Sequence, residues 1–159
     1  NVPPRSAVDM TVETMARLAK LPRIVGVKDA TADLVRPIRT KLAIEKDFIM
    51  LSGEDGTALP FLAQGGVGCI SVTANVAPRL TAEMHKAWAE GDLKHAMKIN
   101  ERLTPVNDAL FCETSPGPVK YAVSLLGRAS DELRLPLARI AEASKQKVRA
   151  ALTKAGLLN

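Results

Sequence analysis

Three short runs of apolar residues in this chain are continuous and do not alternate with polar ones: residues 24–27, 48–52 and 67–72. Segments with helical spacing of apolar positions lie between them, over residues 32–45 and 57–64. Continuous apolar strands separated by helices are typical of a parallel sheet that is covered on both faces, because each crossover carries a helix back across the sheet. The pattern therefore predicts a βαβαβ ladder.

Helical periodicity flanks this ladder on both sides. Residues 11–20 predict a helix before the first strand, with Pro22 just beyond its end. After residue 72 only helices are predicted, over residues 82–90, in a long segment capped by Asp92, over residues 118–126 and over residues 136–155.

The change of pattern falls near residue 76, and no repeat or low-complexity linker marks another boundary. We therefore expect two parts, a strand-containing part over residues 1–76 and a helical part over residues 77–159.

Composition and charge narrow the class of protein. The chain has 159 residues, 47% of them hydrophobic, and no apolar run approaches the roughly 20 residues of a membrane span. Its start lacks the residue order of a signal peptide, so we expect a cytoplasmic protein without a membrane partner. The net charge of +5 is spread along helices and only 3% of residues are aromatic, so no nucleic-acid partner is expected. Cys69 and Cys112 lack metal-ligand spacing and are predicted to be reduced thiols.

Polar residues follow each predicted strand: Lys28 after the first, residues 52–55 after the second and residues 71–75 after the third. The carboxyl ends of parallel strands lie at one edge, and in (β/α)8 barrels this edge carries the chemistry. Three strands are few for an open sheet, and residues 1–4 are typical of a strand end whose strand is missing. We therefore expect further strands upstream.

Five motifs occur in a fixed order: Asn-Val-Pro-Pro-Arg-Ser at 1–6, Gly-Val-Lys-Asp-Ala-Thr at 26–31, Leu-Ser-Gly-Glu-Asp at 51–55, Gly-Cys-Ile-Ser-Val-Thr-Ala-Asn at 68–75 and Ser-Pro-Gly-Pro-Val-Lys at 115–120. Together they resemble the dihydrodipicolinate synthase (4-hydroxy-tetrahydrodipicolinate synthase) family. The resemblance covers the whole chain but matches only the C-terminal half of that family. It implies an α/β fold, the last three full strands of a (β/α)8 TIM barrel with their helices, followed by a C-terminal three-helix region. The family's catalytic tyrosine would stand immediately before Asn1.

The resemblance implies a role for Lys28. In the family this lysine attacks the keto group of pyruvate to form a Schiff base, which requires a neutral amine, and burial disfavours the charged form. The enamine formed next attacks L-aspartate 4-semialdehyde, and cyclisation and loss of water give 4-hydroxy-tetrahydrodipicolinate, an intermediate of lysine and diaminopimelate biosynthesis. No metal or organic cofactor is expected. The local sequence alone also fits a lysine that extends to solvent from a strand end.

Three further residues are implied to bind substrate. Arg5 would hold the semialdehyde carboxylate, because a planar fork of donors suits a carboxylate, although its surroundings alone also fit a surface arginine in a turn. The main chain at Gly53 and Ile70 would approach bound pyruvate, and both positions also fit plain strand packing.

Two other functions are also compatible with the sequence. One is a folded module without catalysis; the other is a different pyruvate-dependent aldolase of the same superfamily, a sialic-acid or keto-sugar-acid lyase, whose segment around position 5 generally lacks the Val-Pro-x-Arg arrangement. With the N-terminal half of the barrel missing, we expect the chain to be inactive alone. We also expect a homo-oligomer, since the resembled family forms tetramers.

Overall fold

The computed structural model describes residues 1–158 and divides the chain into two compact units, Asn1–Ser71 and Val72–Asn159, here called the first and second units. Among residues 1–158, no helix is long and apolar enough to cross a membrane. The predicted boundary between barrel and helical region at residue 76 remains a prediction about the family architecture.

Strands and helices alternate in the first unit. In chain order its elements are α1 (Pro3–Ser6), α2 (Val12–Ala19), β1 (Gly26–Asp29), α3 (Arg36–Ala43), β2 (Ile49–Ser52), α4 (Ala58–Ala63) and β3 (Gly68–Cys69). The three strands form one parallel sheet in the order β1-β2-β3, with α3 and α4 in the two crossovers. The predicted βαβαβ ladder is confirmed.

The first strand lies two residues further along the chain than predicted. Lys28 is therefore inside β1, paired with Leu51 of β2, and does not follow the strand. The backbone of Asn1 also pairs with β1: its nitrogen donates to the Lys28 carbonyl (2.8 Å), and its carbonyl accepts from the Ala30 nitrogen (2.9 Å). Asn1 thus extends the hydrogen bonding beside β1, although residues 1 and 2 form no regular strand and residues 3–6 are helical.

The sheet of the first unit is packed on one face. Val27 of β1 and Phe48, which precedes β2, pack against a buried cluster of Met15, Ala19 and Ile44, contributed by α2 and the end of α3. Met50 is 4% exposed, whereas its neighbour Ile49, which points to the other face, is 49% exposed. The sequence predicts a sheet that is buried on both faces. Within residues 1–158, the second face is not fully buried, because Ile49 remains half exposed.

The second unit is helical. A 3-10 helix at Thr73–Asn75 is followed by α5 (Pro78–Ala89), α6 (Leu93–Leu110), α7 (Gly117–Leu125) and α8 (Glu142–Lys154). Its core side chains include Ala96, Val106, Leu110, Ala122, Val148 and Leu152, each 0% exposed. The predicted cap of α6 is confirmed, since the Asp92 carboxylate accepts a hydrogen bond from the His95 backbone nitrogen at 3.0 Å.

Several predicted boundaries are wrong. The helix predicted over residues 136–155 begins only at Glu142, where the Glu113 carboxylate accepts from the Ala141 backbone nitrogen at 2.9 Å. Such a cap from a distant residue leaves no trace in the local periodicity. The helix predicted over residues 32–45 begins at Arg36. The residues before it form a turn, in which the Asp33 carboxylate accepts hydrogen bonds from the backbone nitrogens of residues 35 and 36.

Two other boundaries differ for local reasons. The helix predicted over residues 82–90 already begins at Pro78, since proline is well suited to the first helical position. The third strand ends at Cys69 and not at residue 72, because the chain turns into the 3-10 helix. Residues 3–6, for which no helix is predicted, form the short helix α1.

Candidate active site

Lys28 lies near the carboxyl end of β1 on the face of the sheet opposite the helix-packed one. Val27 packs toward the helices, and alternation along the strand places Lys28 on the other side, next to Leu51. The lysine is half-buried. It is therefore held by a rigid strand yet remains accessible to a small molecule.

Gly53 provides the space into which the Lys28 side chain extends. A Cβ atom at position 53 would lie 2.8 Å from the Lys28 Cε and 2.8 Å from the Ala30 Cβ, closer than real contacts of this kind. Any larger residue would displace the lysine or the chain at residue 30. The structure thus brings Lys28 and Gly53 together, and it adds a steric reason for glycine that the sequence did not show.

The backbone nitrogens of the two other strand ends are already bonded. Gly53 donates its N–H to the Asp29 carbonyl at 2.7 Å, and Ile70 donates its N–H to the Ser52 carbonyl at 2.8 Å. Both bonds continue the sheet ladder beyond the regular strands. The main-chain groups that these two residues can still offer to a ligand are their carbonyl oxygens. The Ile70 side chain is 50% exposed.

A second group of polar side chains orders the ends of β2 and β3. The Ser52 hydroxyl donates to the Glu54 carbonyl at 2.9 Å and accepts from the Glu54 nitrogen at 3.1 Å. The Ser71 hydroxyl donates to the Asp55 carboxylate, which is only 6% exposed. These bonds fix the turn that carries Gly53.

Cys69 lies in β3 close to these groups. Burial, followed by the negative charge of Asp55, raises the pKa of its thiol to about 12. The thiol is therefore protonated at neutral pH and is a poor nucleophile. Both cysteines are free thiols, as predicted.

Arg5 lies in the short helix α1 and is exposed. Its segment is joined to the strand that carries Lys28 through the backbone bonds of Asn1. The structure thus attaches Arg5 to the same edge of the sheet as Lys28 and leaves its side chain accessible.

Sequence reasoning missed one residue near the site, Arg36. It is 8% exposed, and its guanidinium bridges Asp29 and Asp9. At the start of a predicted helix an arginine is most often solvated, so no local signal distinguished it. Among residues 1–158, no group of three or more His, Cys, Asp or Glu side chains is placed to hold a metal ion.

Comparison with known proteins places this geometry in a family. Residues 1–155 match the model of the dihydrodipicolinate synthetase family. The 4-hydroxy-tetrahydrodipicolinate synthase of Rhodospirillum centenum is 64% identical over 158 residues, which are 99% of this chain and 54% of that protein. The chain thus spans about half the length of the curated relatives it matches.

Solved structures agree with this match. A crystal structure of dihydrodipicolinate synthase from Aquifex aeolicus has a TM-score of 0.94 and 38% identity, covering 99% of this chain and 54% of that one. A chloride-inhibited dihydrodipicolinate synthase from Acinetobacter baumannii, in complex with pyruvate, has a TM-score of 0.93 and 39% identity, covering 99% of this chain and 54% of that one.

The fold class expected from the sequence, part of a (β/α)8 barrel followed by helices, is confirmed by these structures. The chain belongs to the dihydrodipicolinate synthetase family.

Proposed function

We propose that this chain carries the Schiff-base part of the active site of a 4-hydroxy-tetrahydrodipicolinate synthase, which condenses pyruvate with L-aspartate 4-semialdehyde. The position of Lys28 carries the proposal. The lysine lies near the carboxyl end of a parallel strand, half-buried, with its Cε over a residue that has no side chain. Barrel enzymes place their reacting groups at this end of the strands, and the chain's family membership supports the same reaction.

In the proposed reaction the neutral amine of Lys28 attacks the keto carbon of pyruvate, and the carbinolamine loses water to leave a protonated imine. The positive nitrogen withdraws electrons, so the adjacent methyl group loses a proton and an enamine forms. The enamine carbon bonds to the aldehyde carbon of the semialdehyde, whose oxygen takes up a proton. The amino group of the semialdehyde then attacks the imine carbon, which closes the ring and releases Lys28.

Gly53 and Ile70 are proposed to contact bound pyruvate through their main chains. Their N–H groups are bonded within the sheet, so their carbonyl oxygens would accept from the carbinolamine hydroxyl or the imine N–H that forms on Lys28. Arg5 is proposed to bind the carboxylate of the semialdehyde. Its exposed guanidinium offers parallel N–H donors that match a carboxylate, and its segment is bonded to β1.

We further propose that the complete enzyme is a cytoplasmic homo-oligomer and that residues outside these 159 orient pyruvate and relay protons. The half-exposed Ile49 supports the need for further chain, since the sheet face that carries Lys28 has apolar surface left to cover. The 159 residues alone are expected not to turn over substrate, because groups that act as a unit fail together.

Trapping of the Schiff base tests the proposal. A complete chain is made by joining these residues to the part of the Rhodospirillum centenum relative that they do not match, and it is incubated with pyruvate and borohydride. We expect a reduced pyruvyl adduct on the peptide that contains Lys28. Without borohydride, we expect continuous turnover of pyruvate and the semialdehyde. Lys28→Arg should abolish both, because a guanidinium cannot form the imine.

The matched control is Lys20→Arg, at an exposed position beyond α2, which should change neither measurement. An adduct on Lys20 or Lys120, or turnover retained in Lys28→Arg, contradicts the proposed role. Condensation of pyruvate with a sugar aldehyde in preference to the semialdehyde would favour the other aldolases.

A further inference from the structure

A buried arginine lies directly behind the strand that carries Lys28. Arg36 is 8% exposed, and its Nε donates to the Asp29 carboxylate at 2.8 Å. Asp29 is itself 8% exposed and accepts a second bond from the Thr31 backbone nitrogen at 2.9 Å. Because unpaired charges are costly to bury, this pair is held in one arrangement.

The other side of the same guanidinium reaches the segment that carries Arg5. The Arg36 Nη1 donates to Asp9 Oδ2 at 2.9 Å, and Asp9 Oδ1 accepts from the Asn1 side-chain amide at 2.8 Å. The Asn1 amide oxygen in turn accepts from the Met10 backbone nitrogen at 3.0 Å. The hydrogen bond from Asn1, together with Arg36, lowers the pKa of Asp9, so the carboxylate is ionised at neutral pH.

These bonds close a loop around Arg5. Residues 1 and 10 are held together by the Asn1 amide, and the short helix between them ends at Ala7 in a left-handed conformation, φ +56°. Asn1 is fixed to β1 by its backbone, and Asp9 is fixed to α3 by Arg36. One end of the loop is therefore anchored to the strand of Lys28 and the other to a buried charge beside it.

We propose that Arg36 is a positioning residue that sets the location of Arg5 relative to Lys28 through Asp9. The inference rests on the proposed function, in which Arg5 binds the semialdehyde carboxylate. A single guanidinium that bridges both carboxylates keeps the Arg5 loop and the strand end in one geometry. A lysine carries all its N–H donors on one nitrogen, whereas the guanidinium of Arg36 spreads its donors over a plane. A lysine is therefore poorly suited to bridge Asp29 and Asp9.

We expect substitutions in this chain of bonds to affect the second substrate and not pyruvate. Loosening the Arg5 loop weakens binding of the second substrate, while the bond between Lys28 and pyruvate forms as before. A contact made equally in the ground and transition states affects KM and leaves kcat unchanged.

The test uses the joined complete chain with three variants. Asp9→Asn replaces one carboxylate oxygen by an NH2 group, which cannot accept, so it breaks either the bond from Arg36 or the bond from Asn1 and keeps the buried Arg36–Asp29 pair. It is therefore the variant that retains the fold; Arg36→Lys removes the bridge itself. For both we expect KM for the semialdehyde to rise about tenfold, with kcat and the rate of pyruvate trapping within about twofold. Arg39→Met, on the same helix with a side chain 63% exposed, is the matched control and should change nothing.

A double-variant comparison separates positioning from a structural effect. If Asp9 acts through Arg5, Asp9→Asn should have no further effect on the semialdehyde KM once Arg5 is alanine. Additive losses, an unchanged semialdehyde KM in both single variants, or equal losses for the two substrates would each overturn the inference.

Hydrogen exchange of the backbone amides at residues 5–7, which bond to the carbonyls of Val2 and Pro3, gives a readout besides activity. Exchange should be faster in Asp9→Asn and Arg36→Lys than in Arg39→Met. If the unmutated complete chain does not condense the two substrates, the proposed function fails while this measurement still tests the link. Unchanged exchange in both variants would overturn it independently.

Discussion

The two units of the chain are stabilised in different ways. The first unit is built from strands of at most four residues and helices of at most eight, and apolar side chains in or beside its strands are exposed, such as Val25 (60%) and Ile49 (49%). The second unit has α-helices of nine to eighteen residues with core side chains such as Leu110 and Leu152 that are 0% exposed.

This difference separates the longer helices from the proposed active site. Long helices bury complete apolar stripes, so the second unit gains most from the hydrophobic effect. The first unit combines shorter helices with a parallel backbone ladder and the buried ion pair from Arg36 to Asp29. Its uncovered sheet face is also where Lys28 and Gly53 lie. The residues of the proposed active site and the longest helices therefore belong to different units.

The sharpest test of the comparison removes core volume from the second unit. Leu110→Ala deletes a fully buried side chain of α6 and should lower the free energy of unfolding by about 3 kcal/mol. Leu42→Ala in the first unit, where the leucine is 80% exposed, is the matched control and should cost less than about 0.5 kcal/mol. Urea unfolding measures both. Equal costs would show that Leu42 contributes as much packing as Leu110 and would contradict the exposed position of Leu42 in the first unit.

Adding one methyl group tests the other side of the comparison. Gly53→Ala forces a Cβ into the space held by Lys28 Cε and Ala30 Cβ, and the resulting strain should be about 1 to 3 kcal/mol. We expect the rate of pyruvate trapping to fall about tenfold or more. Gly56→Ala, whose added Cβ would meet only the Glu54 carboxylate at 3.4 Å, should leave that rate unchanged. Loss of trapping in both variants would point to general disruption of the turn.

The pH dependence of stability offers a third test. Hydrogen bonds from Ser144 and from the Ala141 backbone lower the pKa of Glu113 from its ordinary value of 4.5. A lowered folded-state pKa stabilises the protein above the ordinary value, and the stabilisation is lost as pH falls through the folded value.

Glu113→Gln should therefore lower Tm at pH 7 and have little effect at strongly acidic pH. Thermal unfolding across this range measures the difference, with Glu101→Gln at an exposed position of α6 as control. A Tm loss that does not depend on pH would contradict the proposed charge-dependent cap of α8.

The smallest expected effects compare backbone conformation in the two units. Ala32 in the first unit has φ +60°, so Ala32→Gly should stabilise the protein by about 0.5 kcal/mol or more. Gly127 in the second unit has φ +68° and open space around it, so Gly127→Ala should cost about 1 kcal/mol from backbone strain alone. Chemical denaturation resolves both signs. If both substitutions changed the free energy of unfolding in the same direction, one of the two residues would not keep its left-handed conformation.

The sequence by itself determined the order of elements, since apolar runs and helical spacing are local properties. It also predicted the cap at Asp92, and its ordered motifs led to the family and to Lys28 as the reactive residue. The roles of Lys28, Arg5, Gly53 and Ile70 are predictions that the trapping and substitution experiments test.

Only the tertiary structure decided the features made by residues distant in sequence. The beginning of α8 depends on Glu113, 28 residues before the nitrogen it caps. The bridge from Arg36 to Asp9 spans 27 residues. The steric requirement for glycine at position 53 arises because the Lys28 side chain of the neighbouring strand extends into the space that a Cβ atom would occupy. Periodicity reports which face of an element is apolar, but it cannot report which charge or atom the folded chain brings opposite that element.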